Sequence, residues 1–315
     1  MMPATLRRPL AAIAAALFAA AALAACSGDA AEDEDAITIG FVNGSNTEFH
    51  TCLEQSVQDA AAELGVEVLV ANSQQDAAKE LANIEDMIAQ QVDAVVVQTV
   101  SADALEGDIA KANGAGIPIF LTSIVANADP EALLGAVETD LHGIGAAAAG
   151  FVTADSGGAA VTAGIIAGAP GAASDVLVGG FKDAVGENVE VVAEQPGMFD
   201  RATAQDVAEN MIQSNAELDY VFVANEDMAF GALNAFQAVD ADVKIVANNG
   251  TDAGLEAVKS GAFAATVANS PYALGETTVE SLVALLEGEE VEPIQANPFT
   301  LITADNLDDA PAYCG

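Results

Sequence analysis

From Ile37 onward, short β-branched runs alternate with alanine-rich stretches whose apolar residues recur at helical spacing. This rhythm constrains the fold more than any other feature, because it is the pattern of βαβ units around a parallel sheet. Extended runs are expected at 37–42, 66–70, 94–97, 119–121 and 134–137, with helices at 49–64, 77–90 and 102–113 between them. The rhythm restarts with helices at 141–154, 173–184, 201–214, 227–239, 252–259 and about 272–286. Strands are expected between them at 160–167, 190–193, 220–224, 244–247 and 264–267, and residues 298–302 form a last extended segment.

Two serial sets of βα units predict an α/β fold of two doubly wound parallel-sheet lobes. Three connections, at Asp140, near Pro271 and near Pro298, would form the hinge. The first lobe is expected to hold 37–139 and 271–298, the second 140–270 and 299–315. Ligands of open parallel sheets bind beyond the carboxyl ends of the strands. Two such lobes facing one another place a ligand cleft between them, with hinge closure as the natural motion.

Ahead of this body stands a leader. Arg7 and Arg8 precede an almost unbroken apolar run at 10–23, too short to cross a bilayer comfortably. Leu23-Ala24-Ala25-Cys26 then reads as a lipobox, so 1–25 is expected to be a signal peptide and Cys26 a lipidated first residue followed by an acidic tether to 36. An ordinary secretory signal with an incidental cysteine is the competing reading. Anchoring by several acyl chains would hold the body at the outer face of the cytoplasmic membrane. The whole chain carries 48 acidic and 8 basic residues, a formal charge of −40. Loss of Arg7 and Arg8 leaves 48 acids against 6 bases, about −42. A nucleic-acid partner is excluded by that balance, since phosphate backbones are gripped by basic side chains. Anionic lipids would likewise repel the body, so membrane attachment is through the lipid alone.

Cys52 and Cys314 remain. In an oxidising compartment they are either a disulfide joining the first helix to the C-terminal end or two unrelated thiols. His50 is two residues from Cys52, a spacing that points the two apart on a helix and speaks against a catalytic pair. His142 is the only other histidine, and no cysteine–histidine cluster has metal-ligand spacing. Gly168-Ala169-Pro170-Gly171 lacks the Lys-Ser/Thr of a phosphate loop and reads as a tight turn. With no Gly-x-Ser-x-Gly elbow either, neither an enzyme nor a cofactor is expected.

Several segments resemble the ribose-type, type I sugar-binding receptors of ABC transporters, the type I periplasmic binding proteins. They are Asn72-Ser73-Gln74-Gln75-Asp76 with Ala77-Ala78-Lys79-Glu80, Phe199-Asp200-Arg201, Val223-Ala224-Asn225-Glu226-Asp227-Met228-Ala229, Asn249-Gly250-Thr251 and residues 263–268. The similarity runs from about Ile37 to Asn306. Related repressors share the fold, but a leader and lipobox stand here in place of their DNA-binding helices. By resemblance, Asn46 and Thr47 form a polar approach to the ligand. Phe49 keeps one sandwiching ring and His50 replaces the other. Phe199 and Asn225 are retained, while Asn249 and Asn269 replace an aspartate and a glutamine. Ser123-Ile124 stands where the family has Asp-Arg, and Leu177 lies near the place of a missing arginine. Arg201, near the mouth, is expected either on the ligand or hinge or in a salt bridge. The loss of the charged clamp implies a small neutral sugar or polyol, held by neutral hydrogen bonds of roughly half the charge-assisted strength. The resemblance implies a receptor delivering this ligand to an ABC permease and its ATPase, with a monomer as the default state. Presentation to a chemoreceptor or sensor kinase, and a nucleoside or furanose autoinducer as ligand, are the alternatives.

Overall fold

A computed structural model describes residues 36–123, 129–215 and 217–315. The leader, Cys26, the tether up to Asp35, and Ile124 lie outside the described residues.

The first sheet is wholly parallel. It contains β1 (Thr38–Asn43), β2 (Glu67–Asn72), β3 (Ala94–Val97), β4 (Ile119–Ser123) and β5 (Gly135–Thr139), joined at its edge by β11 (Ile294–Asn297), in the order β11-β5-β4-β3-β1-β2. Parallel strands need long crossovers, supplied here by helices α1 (Glu48–Leu64), α2 (Ala77–Gln90) and α3 (Ala102–Gly114). The two-residue period of a strand sends neighbouring side chains to opposite faces. Phe41 and Val96 join the core beneath α1 and the late helix α9 (Pro271–Leu286), with Leu53, Val57, Phe120 and Leu282. Val42, Val95 and Val97 face the other way, against Ile84, Met87 and Ile109 of α2 and α3.

The second sheet repeats the plan with β6 (Val161–Ala167), β7 (Val189–Pro196), β8 (Tyr220–Val223), β9 (Lys244–Asn249), β10 (Ala265–Asn269) and β12 (Phe299–Ile302). Its order is β12-β10-β9-β8-β6-β7, with only β12 antiparallel among the described strands. Helices α4 (Leu141–Asp155), α5 (Ala172–Ala184), α6 (Arg201–Ser214), α7 (Glu226–Ala238) and α8 (Asp252–Ser260) cover it. Phe181 of α5 stacks on Phe222 of β8 in its core, ring centroids 4.8 Å apart.

Each passage between the sheets is a single residue long. Asp140 links β5 to α4, Ser270 links β10 to α9, and Pro298 links β11 to β12. Asp140 and Ser270 also cap the helices they introduce, accepting from Gly143 N–H and Ala273 N–H. Asn297 Nδ2 donates to Thr139 Oγ1 at 3.1 Å, tying two passages together. After β12 a short helical turn (Leu307–Asp309) packs beside the second sheet. The tail then returns to the first lobe, where Cys314 is disulfide-bonded to Cys52 of α1.

Two features depart from the sequence reading. The strand β11 lies where no β-branched run announces it, since Ile294–Asn297 is a short, largely polar edge strand. Strands β4, β9 and β10 also extend past their apolar runs into Ser123, Asn249 and Asn269. Those polar ends are where the sheets meet the cleft.

Candidate ligand-binding cleft

The carboxyl-end loops of both sheets enclose a cavity of about 870 Å³. The first lobe contributes the loop after β1 with the start of α1, the segment 98–100 after β3, and Ser123. The second contributes the turn after β6, Met198 and Phe199 after β7, Asn225 after β8, Asn248 and Asn249 at the end of β9, and Asn269 at the end of β10.

Asn46, Thr47, Phe49, His50, Ser123, Phe199, Asn225, Asn249 and Asn269 all line this cavity. Arg201 is not among the lining residues; of the two roles expected for it, the structure shows the salt bridge. As the first residue of α6 it faces α7. Its Nε and Nη2 donate to Asp227 Oδ1 at 2.9 and 2.6 Å, and its guanidinium lies 5.3 Å from the Phe230 ring centroid. Asp227 is the member of that pair that reaches the cavity wall.

His50 has both ring nitrogens engaged within the protein. Thr47 Oγ1 lies 2.7 Å from Nδ1 and Gln98 Oε1 lies 3.2 Å from Nε2. A carbonyl oxygen only accepts, so this network assigns the proton to Nε2 and makes Nδ1 the acceptor of the Thr47 hydroxyl. Burial pushes the imidazole down to about 4, against a smaller upward pull from Gln98, so the ring is neutral at physiological pH. His50 therefore presents a ring rather than a free donor, edge-on to Phe49 with centroids 5.4 Å apart.

In the second lobe the amides form a chain. Asn269 Nδ2 donates to Asn248 Oδ1, and Asn248 Nδ2 donates to the carbonyl of Ala224, both at 3.3 Å. Asn269 is 2% exposed, and its Oδ1 has no hydrogen-bond partner among the described residues. Asn225 Oδ1 caps α7 by accepting from Met228 N–H at 2.9 Å, which leaves its amide nitrogen for the cavity. Leu177, buried on α5, offers only hydrocarbon to the wall.

One buried carboxylate anchors the binding loops of each lobe. Glu226 at the start of α7 accepts from Gly250 N–H, Thr251 N–H, Thr251 Oγ1 and Thr266 Oγ1 at 2.5–2.9 Å. Desolvation raises its carboxyl above the usual range despite those four donors. Glu80 of α2 accepts from Thr99 Oγ1 at 2.8 Å and Val100 N–H at 2.7 Å. Burial and, to a lesser degree, nearby Asp108 push it up to about 7 against those two hydrogen bonds.

The loops are also strained. Among the described residues, eight non-glycine residues have positive φ, and six of them, Gln74, Gln75, Ser123, Met198, Phe199 and Asn249, line the cavity. Such conformations cost about 1–3 kcal/mol each and persist where surrounding contacts over-determine them. At Gly168 a Cβ would sit 2.0 Å from the Phe199 ring, so only glycine lets that ring lie against the turn. Gly250, at φ 83°, has no room for a Cβ beside Ala268.

Residues 39–290 match the family described as the periplasmic binding protein domain. The chain belongs to this family. It is a solute-binding protein rather than an enzyme, and the family places it outside the cytoplasm. This periplasmic binding protein is 33% identical over 271 residues to the ribose import binding protein of Haemophilus influenzae, covering 86% of this chain and 91% of the relative. It is 30% identical over 303 residues to the xylitol-binding protein of Mycolicibacterium smegmatis, covering 94% and 86%. Among solved structures, a solute-binding protein of Bacillus halodurans with bound myo-inositol superposes with a TM-score of 0.81 at 27% identity, covering 87% of this chain and 96% of that one.

Sequence reasoning missed Gln98, Thr99, Asn248, Thr251 and Tyr313 in the cavity wall. Gln98 had a legible signal, being the first polar residue after the uninterrupted apolar strand Ala94–Val97. Tyr313 had none, since it reaches the cavity only through the returning tail.

Proposed function

We propose that this periplasmic binding protein captures a small neutral polyhydroxylated molecule, a sugar or sugar alcohol, and delivers it to an ABC permease driven by its ATPase. Lipidation at Cys26 would hold the monomer at the outer face of the membrane. The observation that carries the ligand class is the buried Asn269 Oδ1 with no partner among the described residues, in a wall of amides and hydroxyls without lysine or arginine. A buried acceptor left unpaired costs about 1–3 kcal/mol, and a ligand hydroxyl would recover it. Glu48 and Asp227 in the same wall disfavour sugar acids and sugar phosphates. Relatives named for ribose, xylitol and allose, and a neighbour holding myo-inositol, support the same class.

Phe49, His50 and Phe199 would cover the apolar faces of the ligand, while Asn225, Asn249 and Asn269 would meet its hydroxyls. Residues 37–139 with 271–298 and residues 140–270 with 299–309 would act as the two closing lobes, with the tail at 310–315 held on the first by the Cys52–Cys314 disulfide. A ligand touching both binds the closed form more tightly and shifts the population toward it. The test is a melting-temperature panel of ribose, allose, xylitol, myo-inositol, a sugar phosphate and a sugar acid on the protein lacking residues 1–25. A ligand at 100 times its Kd adds about 2.7 kcal/mol of stability. A shift with neutral polyols alone is expected; a shift only with the anionic compounds would overturn the reading.

A further inference from the structure

Tyr313 enters the cavity wall from neither set of sheet loops. The last element of the second lobe ends at Asp309, and five residues later Cys314 is bonded to Cys52 on α1 of the first lobe. At about 3.3–3.6 Å per residue, so short a tether has little slack. Gly315 closes against the ring of Tyr272 on α9, fixing the end of the tail on the same lobe. Between these anchors Tyr313 is 5% exposed, lines the cavity, and has no hydrogen-bond partner for its hydroxyl among the described residues. Burial, reinforced by the carboxylates of Glu226 from one lobe and Glu48 from the other, keeps the phenol protonated far beyond physiological pH. It is thus a neutral group able both to donate and to accept.

We propose that Tyr313 is a specificity-determining residue of the cleft, hydrogen-bonding a hydroxyl of the bound polyol, and that the Cys52–Cys314 disulfide is the positioning device that holds it there. This rests on the polyol reading above. The tail offers the ligand a third wall besides the two lobes. The Tyr313 hydroxyl is not among the buried unpaired polar atoms, so on a ring that lines the cavity it opens to the space a ligand hydroxyl would occupy. Cys52 is buried on α1, the helix that also carries Phe49 and His50, so one helix presents the ring wall and anchors the tail opposite it.

The chain has no tryptophan and three tyrosines, Tyr220, Tyr272 and Tyr313, so tyrosine emission reports on this position. Calorimetric titration of the protein lacking residues 1–25 with ribose, xylitol and myo-inositol is compared among four forms: the parent, Tyr313→Phe, Cys52→Ser/Cys314→Ser, and the triple variant. Tyr313→Phe keeps the ring, and its melting point without ligand is expected to match the parent. Its Kd should rise about three- to ten-fold, the loss of one neutral hydrogen bond, and the ligand-induced change in tyrosine emission should vanish. The cysteine variant should weaken binding in the same direction, and adding Tyr313→Phe to it should cost nothing more, because coupled residues are not additive. Parental affinity in Tyr313→Phe, or an emission change that survives it, overturns the proposal while leaving the polyol reading standing. Additive losses overturn the positioning role of the disulfide. A parent that binds none of the three sugars brings down the polyol reading and this proposal with it.

Discussion

Glu80→Gln should change the pH dependence of stability in a direction fixed by its surroundings. Glu80 is wholly buried, and the structure pushes its carboxyl from an ordinary value of 4.5 up to about 7. The folded protein then holds this proton more tightly than the unfolded chain does. The stability contributed at the site is complete below about 4.5 and is lost as pH rises through about 7. At about 1.36 kcal/mol per pH unit, that interval corresponds to about 3 kcal/mol. Glutamine matches the protonated acid in shape, can donate to Thr99 Oγ1, and can accept from Val100 N–H. Guanidinium unfolding of both proteins at half-unit steps from pH 4 to pH 8 isolates the residue, because every other titration is shared. Relative to the variant, the wild type should lose about 3 kcal/mol between pH 4.5 and pH 7 and stay level above. A difference that is flat throughout would mean that Glu80 titrates alike in the folded and unfolded chain, and the reasoning from burial would fail.

Asn225→Ala should abolish the ligand-induced melting shift and also lower the unliganded stability by about 1 kcal/mol, since it removes the α7 cap; Asn225→Asp, which keeps the cap, should restore the unliganded melting point. Gly168→Ala should displace Phe199 and weaken ligand binding at least ten-fold by calorimetry, whereas a parental Kd would mean that the ring is not held by this turn. Arg201→Ala should leave ligand affinity unchanged and cost at most about 1 kcal/mol, the worth of a half-exposed ion pair. His50→Gln should remove a stability loss that sets in as pH falls from about 6.5 toward 4, because the folded protein resists protonating that ring; an unchanged acid limb in urea unfolding would count against it.

The lobes were legible because periodicity is a local property: α2, α3's start, β3 and α6 can be placed from apolar spacing alone. The cleft was partly legible for a different reason. In a parallel sheet the polar carboxyl ends of the strands fall at the ligand edge, where Asn225 follows β8 and Asn249 and Asn269 close β9 and β10. Side-chain partnering was not legible. Arg201 is drawn aside by Asp227 and Phe230, and both nitrogens of His50 are taken by Thr47 and Gln98, contacts set by how helices and loops meet. The positive-φ cluster was hidden too, because glutamine, serine and phenylalanine do not announce a left-handed backbone as glycine does. Two buried acids, Glu80 and Glu226, vanish in a sequence with so many carboxylates until their donors are seen.

The fold-back of the chain's end has a practical use. A fluorescent protein joined after Gly315 would ride with α1, although residues 299–309 belong to the opposite half of the molecule. An acceptor inserted at the exposed Gly157-Gly158 turn would ride with the other half. Energy transfer between such a pair would turn jaw movement into an optical signal for the captured sugar.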